Sequence, residues 1–402
     1  MEFERVKGER YVNIVNEITF RDAYWDDKYL WFISEQHSGL YQIDVDEWTI
    51  KTIYFNSQCS IMKKTGYLSL TVFRDNIICI PANAKKVISL NMRNKKLKYF
   101  DIPIKIDIEY KFRNGFVWQD KLILIPDKFP GICVIDFYSN KTIVYDDWYK
   151  RLIDFGISLD NWIWGRGYYF YNGYIYLCTT QKNMLIKLAV DTMEEQVFYV
   201  GKEQYRYYCM AGYENILYLV DLTGDVVVWN ILNEKSEKII DVSHFLDEKK
   251  NEVIFSEIIC VDNKELWLFP RRGKKIVVIE LNLIKIQILD MPYDSLISDP
   301  RSRCGKYYMA KKVKDYIIAN TEQGDKFVLI NLCTREVVIK DLKDLLLKTN
   351  ELLEDQFIKR GDPITEGMLK YGLKEFWEQS YGKKLGEKFN KSVGKTIYEK
   401  IL

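Results

Sequence analysis

Residues 112–145 read FRNGFVWQDKLILIPDKFPGICVIDFYSNKTIVY, four short β-forming runs set apart by turn residues. The first, 112–118, ends at Gln119-Asp120, and the second, 121–126, is almost wholly apolar. The third, 132–136, follows Gly131, and the fourth, 142–145, follows Ser139-Asn140-Lys141. Runs rich in β-branched and aromatic residues, bounded by Gly, Asn, Asp and Ser, read as strands joined by tight turns.

The unit recurs along the chain. Its second run falls at 29–34, 76–81, 121–126, 174–179, 216–221, 265–270 and 315–320, so successive starts step by 47, 45, 53, 42, 49 and 50 residues. The third run keeps register at 40–44, 87–91, 132–136, 185–189, 226–230, 276–280 and 327–331. A leading strand precedes each pair, at 20–25, 67–73, 112–118, 168–171, 205–211, 256–261 and 306–311. A closing strand follows, at 52–55, 97–100, 142–145, 196–200, 238–240, 285–289 and 336–339. Four strands repeated at a period in the forties to fifties are the mark of radial repetition. The expected fold is all-β: a seven-bladed β-propeller of four-stranded antiparallel blades over 1–342, followed by a helical C-terminal extension over 343–402. The blades fall near 18–55, 67–100, 110–145, 164–200, 205–240, 255–290 and 305–342, each complete from contiguous chain. Residues 11–15 are β-compatible and could add an edge strand or close the ring.

On this blade pattern the chain resembles the seven-bladed superfold shared by WD40, kelch and YVTN-type proteins, and bacterial propellers of unassigned role. It departs from those families in lacking a repeated Gly-His or Trp-Asp pair, a double glycine opening each blade, and a YWTD tetrad. Val228-Trp229-Asn230 occurs once. The resemblance implies an architecture and no activity, because propellers carry unrelated functions in their loops.

Composition narrows the partners. Lys plus Arg is 59 against 57 Asp plus Glu, so no global field draws nucleic acid or membrane. Aromatics make up 15% of the chain, rings suited to the interfaces between packed sheets. The first twenty residues are charged at almost every turn and do not read as a signal peptide, and no later stretch is long and apolar enough to span a bilayer. The eight cysteines contain no C-x-x-C pair and fall mostly in apolar runs, which points to free thiols and a cytoplasmic protein.

Insertions between blades lie at 146–166, 241–255 and 290–305 and open on one face, together with the loops joining second and third strands. That is the expected working face. Arg113, Trp162, Trp164, Arg166, Tyr205, Arg206, Arg271, Arg301 and Arg303 arrive there, with His37, Lys64, Lys85, Lys128, Lys182 and Arg272 nearby. Guanidiniums interleaved with aromatic rings suit an anionic, ring-bearing ligand, such as an acidic or nucleotide-linked sugar. The competing account is an ordinary charged, solvated rim.

Catalytic signals are thin. With only His37 and His244 and dispersed thiols, no metal site is expected. No cofactor motif is present: Ser392-Val393-Gly394-Lys395-Thr396 ends like a phosphate loop, but Phe389 occupies the position of its first glycine. In the tail, Leu385, Phe389, Val393, Ile397 and Ile401 recur every four residues. Six lysines against two glutamates give 383–402 a net charge of +4. Such a segment can dock on the propeller, on a partner groove or on an anionic membrane. The expected role is a recognition or scaffold module binding a protein or an anionic carbohydrate-type ligand. The alternative is a carbohydrate-active enzyme, a glycan lyase or hydrolase, at the channel mouth.

Overall fold

The computed structural model describes residues 18, 20–35, 39–54, 65–103, 108–242, 254–271, 275–290, 307–321, 326–341 and 345. They form seven four-stranded antiparallel sheets, each built from consecutive strands in chain order. The blades span 23–54, 67–101, 112–145, 169–199, 207–240, 255–290 and 307–341. The leading strands face a central channel and the closing strands lie outermost. The candidate closure at 11–15 and the helical extension beyond 345 lie outside the described residues.

The continuous apolar runs have a direct structural cause. Successive strand side chains point to opposite faces, and a propeller blade is covered on both by its neighbours. In Lys121–Pro126, Leu122 and Leu124 pack toward blade 2 while Ile123 and Ile125 pack toward blade 4. Each of the seven blade interfaces therefore owns a hydrophobic cluster.

The closing seam between blades 1 and 7 is aromatic. Phe20 stacks on Phe32 at 4.5 Å and on Phe327 at 4.6 Å, and the Trp48 indole meets Phe327 edge-on at 5.5 Å. Asn320 Nδ2 donates to the Phe20 carbonyl at 2.9 Å, and Leu345, just past the last blade, is buried in the same cluster.

The turn between third and fourth strands repeats with equal fidelity. Its fifth residue takes a positive φ in all seven blades: Trp48, Lys95, Asn140, Met193, Glu234, Ile284 and Arg335, between 50° and 63°. In five blades the first turn residue (Asp44, Asn91, Asp136, Asn230 or Asn331) accepts hydrogen bonds from the two backbone N–H groups that follow at i+2 and i+3.

The insertion between blades 3 and 4 folds back onto the propeller. It carries a short helix, Asp147–Arg151, whose Trp148 and Tyr149 fill the blade 3–4 interface. Arg151 pairs with Glu195 on the outermost strand of blade 4, pinning the helix down.

Candidate functional site

A β-bulge opens the leading strand of five blades. Register slips between Tyr67 and Ser69, Tyr207 and Cys209, Phe255 and Glu257, and Tyr307 and Met309, and between Phe112 and Asn114 in blade 3. The skipped residue leaves the ladder and its side chain is re-aimed. In blade 3 that residue is Arg113 and in blade 5 it is Tyr208, so two bulges deliver a cation and a ring to the loop-bearing face.

Tyr208 is the hub. The Arg166 and Arg271 guanidinium carbons lie 5.6 Å and 5.3 Å from its ring centre, and Arg271 Nη1 donates to its hydroxyl at 3.1 Å. Trp162 meets the same ring edge-on at 5.8 Å while lying 5.2 Å from the Arg113 guanidinium. Trp162 is 46% exposed, and the rest of the cluster is buried or half-buried beneath it. The result is an indole displayed on a platform of guanidiniums and one phenol.

Arg113 is the strut that fixes the platform. Only 8% exposed, it donates from Nη1 to the Gly165 carbonyl at 2.7 Å and from Nη2 to Asp127 at 3.0 Å, tying blade 3 to blade 4. Burial, then the nearby Arg166 and Arg21 charges, pulls its pKa below the ordinary arginine value, against the opposing attraction of Asp127.

Blade 4 bends to meet this strut. Arg166 leaves its own sheet and forms a parallel bridge with Cys209 of blade 5, its carbonyl accepting from the Met210 N–H at 3.0 Å. Glycines permit the approach: a Cβ on Gly165 would lie 2.4 Å from Cys178 Sγ, and Gly167 has a φ of +85°.

The structure thus brings Arg113, Trp162, Arg166 and Arg271 together. Trp164 lies elsewhere, 3% exposed between blades 3 and 4 with its ring 5.8 Å from Trp148; only its backbone carbonyl turns toward Arg113. Tyr205 packs between blades 4 and 5 and donates its hydroxyl to Asp225. Arg206 folds onto the Glu203 and Tyr205 carbonyls at 2.8 and 2.6 Å. Arg301, Arg303, His37, His244, Lys64 and Arg272 lie outside the described residues. Sequence reasoning missed Tyr208, which sits inside an apolar run and reads as core; its role depends on a bulge that no local signal announces.

Charge on this face is uneven. The carboxylates beside the channel are taken: Glu35 by Arg21 at 2.9 Å, Asp127 by Arg113 at 3.0 Å, Glu257 by Arg166 at 2.9 Å, and Asp22 by Lys311. Lys128, Lys182, Arg206 and Arg271 form no ion pair with a described carboxylate; they rest on rings or backbone carbonyls instead. Burial pushes the Glu257 carboxyl up, against the lowering pull of Arg166. Cysteine offers no nucleophile here, since burial pushes the Cys178 thiol up to about 12 and Cys209 well above its usual value. Among the described residues no two cysteines are joined in a disulfide. Among the described residues no cluster of three or more His, Cys, Asp or Glu could hold a metal, and no helix is long and apolar enough to cross a membrane.

Below the platform the channel encloses about 460 Å³, lined by the leading strands. Arg113 and Arg166 belong to both, which places the Trp162–Tyr208 cluster at its mouth.

No family model matches the chain, and no curated protein matches it. Solved structures do resemble it. U3-55K does so at 8% identity over 76% of this chain and 89% of its own, with a TM-score of 0.54. The computationally designed Ika8 protein does so at 8% identity over 81% of this chain and 88% of its own, TM-score 0.52. The third is PorZ, an essential bacterial surface component of the type-IX secretion system of Porphyromonas gingivalis: 10% identity, 81% of this chain, 38% of PorZ, TM-score 0.53. At such identities the likeness speaks to the fold alone. What the fold and the comparisons establish together is that this chain is a seven-bladed β-propeller, an architecture compatible with a binding or scaffold role.

Proposed function

We propose that the chain is a recognition module that takes its partner on the loop-bearing face, at the platform where Trp162 stands over Arg113 and beside Tyr208. The carrying observation is the half-exposed indole held among guanidiniums, on a face where Lys128, Lys182, Arg206 and Arg271 have no described carboxylate. A large aromatic anchor ringed by cations suits a partner that offers an anionic group beside a ring or apolar surface, either a protein or an acidic carbohydrate-type molecule.

The alternative, a carbohydrate-active enzyme at the channel mouth, draws less support. Glycoside chemistry asks carboxyls to give and take protons at the reacting bond. Glu35, Asp127 and Glu257 each hold an arginine within 3.0 Å instead.

The test is a thermal-shift screen of the chain against nucleotides, nucleotide-sugars, acidic sugars and acidic peptides. A ligand at about a hundred times its Kd adds about 2.7 kcal/mol of stability and moves the midpoint measurably. Trp162→Ala and Arg271→Ala are expected to abolish the shift of any hit while leaving the unliganded midpoint within a few degrees. A shift that survives both substitutions places the ligand off this platform and ends the reading.

A further inference from the structure

The channel below the platform has its own chemistry. Among the described residues, seven charged side chains line its 460 Å³: five are cationic, and the two carboxylates are Asp22 and Glu257. Blades 1, 3 and 4 each send one guanidinium there, from Arg21, Arg113 and Arg166, and they lie near enough for Arg113 to feel the other two charges. The counter-ions of two of them, Glu35 and Asp127, do not line the cavity. Seen from inside the channel, the excess is therefore positive although the network as a whole is balanced.

A cationic cavity with low-dielectric walls focuses potential and concentrates anions. Guanidinium forks match phosphate and carboxylate oxygens in pairs, which a lysine cannot do. The lining also includes the small residues Gly115, Gly167, Ala211, Gly212 and Ala310. The volume falls in the range of small-molecule sites, roughly 300–1,000 Å³.

From this arrangement we infer that the channel is a binding site for a small polyanion, a molecule carrying two or more phosphate or carboxylate groups, gripped by Arg21, Arg113 and Arg166. The site lies below the platform and shares Arg113 and Arg166 with it, but the inference does not depend on the recognition reading.

Calorimetry of the full chain at low salt tests it, with inorganic pyrophosphate and citrate as the two anions and glucose as the neutral control. One-site binding of at least one anion is expected, weakening as sodium chloride is added, with no heat from glucose. Which anion binds identifies phosphate or carboxylate as the recognised group. Arg21→Gln combined with Glu35→Gln removes a cation with its own counter-ion and keeps the net charge; it is expected to weaken binding at least tenfold. Circular dichroism checks that this variant folds. Lys312→Met, a lining residue paired to an exposed Asp262, gives a second comparison, with a several-fold loss expected. Lys98→Met, which removes an exposed cation from an outermost strand away from the channel, is expected to bind the anion as wild type does. Absence of heat with both anions, equal binding by wild type and both lining variants, or an equal loss of binding in Lys98→Met overturns the inference.

Discussion

At the residue scale, two carboxylates respond to acid in opposite directions. The Arg151 side chain, hydrogen-bonded to Glu195, holds that carboxyl below its usual range. Such a group contributes stability above its unfolded pKa of about 4.3 and loses it as pH falls. Burial raises Glu257, so its contribution relative to a neutral amide is fully present below about pH 4.3 and is lost as pH rises through the folded value. Urea midpoints from pH 4 to 8 should therefore show the gap between wild type and Glu195→Gln widening with pH. The gap for Glu257→Gln should narrow. Parallel curves for the two variants would contradict this assignment. Residues were the hardest scale to read in advance. Arg113 and Arg166 announce themselves by charge, but Trp162 and Trp164, two positions apart, look alike in the sequence and end in opposite settings. A core indole and a displayed one differ by the path of the intervening chain; Trp164 is held by an antiparallel bridge to Thr179 in its own blade.

At the scale of elements, the sequence was far more explicit. The central runs at 76–81, 121–126, 216–221 and 265–270 coincide with the observed strands, because burial on both faces demands an unbroken apolar stretch. Leading strands drift by one to three residues at their starts, as at Ala23, Tyr207 and Phe255, since bulges and cross-blade bonding replace hydrophobic pattern there. The turns between third and fourth strands carry a conformational demand that composition barely marks. A positive φ suits Gly or Asn, yet blade 6 places the β-branched Ile284 there, 46% exposed, at φ 50°. Left-handed backbone costs such a residue about 1–2 kcal/mol. Ile284→Asn is expected to raise stability by about 1 kcal/mol, read as a higher urea midpoint with an unchanged slope. A lower midpoint would mean that the exposed isoleucine is held by contacts worth more than the strain.

At the scale of the whole molecule, the repeat count and the seven-fold ring were legible from spacing alone, whereas the means of closure was not. No run in the sequence declares that Phe20, Phe32 and Phe327 will meet across the length of the propeller. Each is fully buried, and Phe327→Ala is expected to cost about 3–5 kcal/mol, the range for emptying a large aromatic site. Limited proteolysis of that variant should cut first between the ends of blades 1 and 7. Cutting that begins in the middle of the ring would show that the seam is not its weak point. Contiguous blades also have a mechanical consequence. Because, among the described residues, every sheet is complete within its own stretch of chain, blade 1 and blade 7 meet there through side chains rather than through a shared sheet. Under tension applied at its two ends, such a ring would part at the seam at modest force. It would then pay out one blade at a time, a molecular spool whose each turn is a single hydrogen-bonded sheet.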